Sequence, residues 1–121
     1  MLLRTKNQLE DILERIDRIN ITLGPYRDFF EYEEDWKKQD IVERCLEVIG
    51  ESMNRILDKE PDIAISHGRK IVGLRNLIIH SYDKISNERI WEVVQRDLPM
   101  LKMEINALME ESDKISIEDP T

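Results

Sequence analysis

The chain has 121 residues, 40% hydrophobic and 36% charged, a formal net charge of −8, four glycines, four prolines and one cysteine, Cys45. A chain of this length makes one domain, residues 1–121, and buries roughly two-thirds of its unfolded surface, so it can fold without disulfide or metal. The charge excludes a general nucleic-acid binder. The lone cysteine excludes an intrachain disulfide, and no run approaches the ~20 apolar residues that cross a bilayer. Met1 to Lys6 lacks the apolar centre of a secretory leader, so a cytoplasmic protein is expected.

Helical periodicity runs from Lys6 to Leu23, where Leu9, Ile12, Leu13, Ile16, Ile19 and Leu23 form one apolar stripe. Gly24-Pro25 ends it. A short link follows, with Phe29, Phe30 and Trp36 around the acidic run Glu31 to Asp35. The run reads as a solvated loop or first helical turn, and the aromatics as packing residues. A second long helix spans about Asp35 to Leu57, with Val42, Cys45, Leu46, Ile49, Met53, Ile56 and Leu57 inward. Cys45 lies on that stripe and reads as a small buried residue rather than a nucleophile.

Glu60-Pro61-Asp62 breaks the chain, and a third helix runs from near Ser66 to about Tyr82. Ser86 or Asn87 can cap a fourth, whose stripe is Ile90, Val93, Val94, Leu101, Ile105 and Leu108. Pro99 lies inside that stripe and should kink the helix or split it after Asp97-Leu98. From Ser112 to Thr121 the pattern lapses, and a frayed tail is expected.

There are no repeats and no strand-like alternation. The expectation is all-α: an antiparallel four-helix bundle with one short extra helix or turn. The third helix carries Ile71, Val72, Leu74, Leu77, Ile78 and Ile79, too wide an apolar surface for one neighbour. A second copy of the chain can cover the rest, making this helix the seam of a homodimer.

That helix also carries the chemistry: Arg75-Asn76-Leu77-Ile78-Ile79-His80-Ser81-Tyr82. Arginine forks onto phosphate oxygens and histidine exchanges protons near neutral pH. Residues 66–90 are the only net-positive segment, at +3 against −6 before and −5 after. Asn76 and His80 are one turn apart, so Asn76 can fix the imidazole's tautomer. Arg75 and His80 are five apart, about 140° around an ideal helix, and need a helix end, a distortion or a second subunit to converge on one phosphate. The blander alternatives are a packed histidine and an arginine paired with Glu47 or Glu51.

Arg75-x4-His80-x-Tyr82 resembles the signature of the HEPN superfamily, specifically the HepT-like toxins paired with minimal nucleotidyltransferase (MNT) antitoxins. Ile49-Gly50-Glu51-Ser52, Gly73-Leu74-Arg75-Asn76, Ile90-Trp91 and Asp97-Leu98-Pro99-Met100-Leu101 resemble further family elements in order, over roughly residues 5–110. Ser52 departs from the commoner alanine, and Ser66-His67-Gly68 from a frequent tryptophan.

The resemblance implies a metal-independent, cofactor-free ribonuclease whose two protomers line one cleft. Arg75 and His80 would be catalytic, with Asn76 and Glu51 in support. Tyr82 would be the acceptor to which the nucleotidyltransferase antitoxin attaches AMP. Lys70, Lys84 and Arg89 are candidate RNA contacts, with solvated charge as the alternative. With His67 and His80 as the only histidines, no zinc site is expected. Trp36 and Trp91 read as packing residues. The rival function is a non-catalytic helical partner that presents substrate to a nucleotidyltransferase; a structural dimer without ligand is the blandest reading.

Overall fold

A computed structural model describes residues 1–81 and 85–118, and these residues form helices and no strand. The bundle is built from α1 (Leu3–Leu23), α3 (Trp36–Lys59), α4 (Gly68–His80) and a last arm made of α5 (Asn87–Glu92), a π-helical stretch (Val93–Asp97) and α6 (Leu98–Glu118). The short α2 (Phe29–Glu34) lies between α1 and α3. Helix α3 is the central element, with α1 and α4 as its principal neighbours.

The expected stripes form the core. Leu9, Ile12, Ile16, Ile19 and Leu23 of α1 meet Val42, Cys45, Leu46, Ile49, Met53, Ile56 and Leu57 of α3, and Ile90, Val93, Val94, Leu98, Leu101 and Ile105 of the last arm. Leu13 and Leu108 pack against its edge. Helix α1 and the last arm run antiparallel, as two long-range contacts show. Lys6 at the start of α1 pairs with Asp113 near the end of α6 at 3.1 Å. Arg27, just past α1, donates to Gln95 at 2.8 Å.

The connections use the turn chemistry of the sequence. Gly24 leaves α1 at φ 70°, a conformation glycine adopts without steric cost, and its N–H donates to Asn20 O. Asp28 caps α2 by accepting from Phe30 N, Asp35 caps α3 by accepting from Lys38 N, and Ser86 caps α5 by accepting from Arg89 N. The acidic run is thus a short helix rather than a loop.

The last arm splits where Pro99 requires it. Leu98 N–H donates five residues back, to Val93 O, closing a π turn just before the proline that cannot donate. The widened turn lets Val93, Val94, Asp97 and Leu98 all point inward.

Helix α6 runs to Glu118, and the Lys6–Asp113 ion pair lies in its C-terminal part. One expectation is corrected. Trp36 does not pack. It stands first in α3, shares a face with Asp40 rather than with the inward Val42, and is 65% exposed. Phe30 is likewise exposed, whereas Phe29 and Tyr32 pack on Trp91 with ring centroids 5.8 and 5.2 Å away.

Tyr32 is buried with its hydroxyl unpartnered among the described residues. Burial, and then the nearby Glu43 carboxylate, hold its phenol well above the ordinary value of 10.0. A phenol easier to ionise in the unfolded chain than in the folded one leaves stability intact below pH ~10 and erodes it above. Tyr32→Phe should therefore leave stability at pH 7 unchanged or raised by up to ~1 kcal/mol. It should also flatten the loss between pH ~10 and ~11 in urea unfolding relative to wild type. A steeper alkaline loss in the variant would contradict this.

Candidate active site

Helix α4 is positioned by two glycine contacts. At Gly68 a Cβ would lie 3.1 Å from Met53 Sδ and 3.3 Å from Leu57 Cδ1. At Gly50, in the middle of α3, a Cβ would lie 2.2 Å from Arg75 Cβ, 2.9 Å from Arg75 Cγ and 3.1 Å from Ile71 O. Arg75 thus occupies the space of the missing side chain. Antiparallel pairing of residues 50 with 75 and 53–57 with 68 follows from these contacts. Ile71 and Leu74 complete the seam.

The start of α4 is also tied to the last arm. Ser66 N and Oγ both donate to Glu104 Oε2, at 2.9 and 2.8 Å. Lys70 Nζ lies 2.8 Å from Asp97 Oδ2, a carboxylate turned inward by the π stretch.

Arg75 is half-buried. Its Nη1 donates to Asn76 Oδ1 at 2.9 Å, and its Nε is buried with no hydrogen-bond partner among the described residues. His80 is the last residue of α4 and is exposed, because Ser81 turns to extended backbone at φ −79°, ψ 129°. Arg69, Gly73, Asn76, Leu77 and His80 recur at helical spacing and are all exposed, so α4 has one open face. No atom lies within 4 Å of where a Gly73 Cβ would be. Leu77 is 38% and Ile79 39% exposed, a large apolar area left uncovered on a helix with few buried residues.

The structure rearranges several expected roles. Asn76 gives its carbonyl to Arg75 rather than holding His80; backbone carbonyls within a helix are already taken, and the neighbouring amide is the acceptor the guanidinium reaches. Glu51 does not pair with Arg75. Because Gly50 faces α4, Glu51 is rotated about 100° away. It pairs with Arg55 at 2.7 Å and borders a groove with Asp11, Glu14 and Arg15 of α1. Glu47 pairs with Arg44 at 3.3 Å. Lys70, half-exposed, pairs with Asp97. Arg89 is exposed. Tyr82 and Lys84 lie outside the described residues.

The contact at Gly50 and the Lys70–Asp97 pair were not foreseen. One signal pointed to the first: a glycine inside a long helix costs about 1 kcal/mol against alanine and calls for a packing reason. Nothing in the spacing of residues 70 and 97 pointed to the second.

Two findings from comparison bear on this helix. The "Ribonuclease HepT-like" family model matches residues 9–108, which include every described residue of the α3–α4 seam. The chain belongs to the HepT-like ribonuclease family. A Methanocaldococcus jannaschii protein provisionally named an RNase is 33% identical over 85% of this chain and 85% of its own length. A second from the same organism, similarly named, is 33% identical over 80% of this chain and 89% of its own. A Thermococcus cleftensis protein named a probable ribonuclease HepT is 33% identical over 80% and 88%. In this HepT-like chain the arginine and histidine of the motif sit on one helix, one wedged against Gly50 and the other exposed at the helix end.

The wedge gives a direct test. Gly50→Ala should cost about 1–3 kcal/mol by overpacking the α3–α4 seam. The exposed Asn54→Ala, one turn on, should change stability by less than ~0.5 kcal/mol. Equal urea midpoints for the two variants would show that α4 is not seated on Gly50.

Proposed function

We infer that this HepT-like chain is a metal-independent endoribonuclease that works as a homodimer and serves as the toxin of a two-component system. The observation that carries the reading is the pose of the motif on α4. Arg75 is seated on Gly50 with its Nε unpartnered among the described residues, while His80 stands on the open face of the same helix beside Leu77, with Ile79 uncovered on the flank of that face. One chain keeps Arg75 and His80 well apart around the helix. A second copy covering the open face would bury the exposed apolar side chains and bring both motifs to one seam. Gly73, with nothing near its Cβ position, would let the helices approach closely.

RNA supplies its own nucleophile. The 2′-hydroxyl attacks the adjacent phosphorus, the bond to the 5′-oxygen breaks, and a 2′,3′-cyclic phosphate and a 5′-hydroxyl result. His80 takes the 2′-hydroxyl proton or protonates the leaving oxygen, and two copies across a two-fold would supply both roles. Arg75 holds the phosphate and offsets the charge of the pentacoordinate transition state. Asn76 holds Arg75. AMP attached to Tyr82 by an MNT-type nucleotidyltransferase would add bulk and negative charge beside this site and block an anionic substrate. No helix among the described residues is long and apolar enough to cross a membrane, in keeping with a cytoplasmic toxin.

Arg75→Ala and His80→Ala should each lower RNA cleavage about 10²-fold or more without changing the far-UV spectrum. Wild-type products should end in a cyclic phosphate. Cleavage that survives the double variant unchanged would assign the activity to a contaminant. Leu77→Asp/Ile79→Asp should halve the mass measured by light scattering and abolish cleavage together. A monomeric wild type would remove the shared site. Co-expression with a neighbouring nucleotidyltransferase should add AMP-sized mass that Tyr82→Phe loses; an unchanged mass would refute that control.

A further inference from the structure

Three of the six described aromatic residues stand in solvent within one short segment: Tyr26 is 91%, Phe30 76% and Trp36 65% exposed. They do not lack a core to join. Phe29, Tyr32 and Trp91 form a packed cluster directly beneath, and Phe30 touches it only at its edge, with its ring 6.0 Å from that of Phe29. The backbone that carries the exposed rings is fixed by caps and hydrogen bonds. Asp28 and Asp35 cap the two helices that carry Phe30 and Trp36, and Arg27, next to Tyr26, is anchored on Gly24 O, Asn20 and Gln95.

The charge around the rings has one dominant sign. Glu31, Glu33 and Glu34 of α2 are exposed and have no ion-pair partner among the described residues. Glu34 shares a helix face with Phe30, and Glu31 borders one shallow depression with Tyr26 and Lys38. Of the nearby cations, Lys37 places its ammonium 5.7 Å from the centre of the Trp36 ring, Lys38 borders the same depression as Glu31, and Arg27 keeps its charge while donating to the neutral Gly24 O, Asn20 and Gln95; Asp28, Glu31, Glu33, Glu34, Asp35 and Asp40 outnumber these three. That face of Trp36 already takes a cation from this chain. Exposed aromatics are the side chains most enriched at protein interfaces. Unpaired carboxylates among them repel RNA and select a basic partner.

We propose that Tyr26, Phe30 and Trp36, with Glu31, Glu33 and Glu34, form a docking surface for a protein partner that presents lysine or arginine beside apolar side chains. The surface lies on the α1–α2 link, α2 and the start of α3 rather than on α4, and does not depend on how the motif acts. The partner's apolar groups cover Phe30 and the free side of Trp36, and its cations meet the glutamates.

The test uses the full chain, isotope-labelled, titrated with a short amphipathic peptide of Leu, Lys and Arg, and with the same peptide carrying Glu in place of the cations. The basic peptide should bind and shift backbone amides of residues 26–40. Its Kd should rise about tenfold or more in Phe30→Ser/Trp36→Ser, which changes no charge, and similarly in Glu31→Gln/Glu33→Gln/Glu34→Gln. The acidic peptide should not bind. Unchanged affinity in the aromatic variant would reduce the effect to attraction by net charge and overturn the proposal, as would shifts centred elsewhere or no binding at all. An RNA oligonucleotide shifting the same amides would assign the face to nucleic acid. A fall in the chain's own sedimentation-measured mass in the aromatic variant would assign it to a second copy. Either result would also overturn it.

Discussion

The structure turns on the contact between Gly50 and Arg75. Helix α3 supports α1 on one side and α4 on the other, and at Gly50 it lacks the side chain that would hold α4 off. Arg75 Cβ fills that space. The contact has two effects at once. It lets Ile71 and Leu74 reach the core, which a helix with so few buried residues needs. It also fixes the stem of Arg75, so the side chain has less freedom left to lose on meeting a ligand.

The rest of α4 follows from that seating. With Gly68 and Gly50 against α3, the opposite face, with Gly73, Asn76 and His80, is turned outward. Ser66 on Glu104 and Lys70 on Asp97 lock the beginning of the helix to the last arm. Asp97 can serve because the π turn forced by Pro99 rotates it inward. A proline on one helix thereby helps to position the motif on another. The helix is firmly held at its start and along its inner face, while its end, which bears His80, stands in solvent.

Charge divides the surface in the same way. The chain is acidic overall, yet the stretch around the motif is net positive, and even after Lys70 is committed to Asp97 the exposed Arg69 and Arg89 remain. The exposed rings at α2 and the start of α3 sit instead among unpaired carboxylates. The two stretches therefore carry opposite net charge.

The helices, their inward stripes, the break at Gly24, the cap at Ser86 and the split at Pro99 were legible in the sequence, because each rests on local rules: a 3.6-residue period, an oxygen over the first N–H groups, a missing donor. The membership of Arg75, Asn76 and His80 in one helix was legible for the same reason. What Asn76, Glu51 and Lys70 bind was not. Those choices depend on which way α3 and α4 are rotated against each other, and Gly50 sets that rotation across 25 residues of chain. The sequence by itself determined an all-helical chain with a basic, motif-bearing helix. Only the tertiary structure decided that Lys70 meets Asp97, that Arg75 is wedged on Gly50 and that Trp36 faces water, because packing between helices sets those contacts, whereas the Arg75–Asn76 and Glu51–Arg55 pairs are local ones that helical spacing permits without selecting.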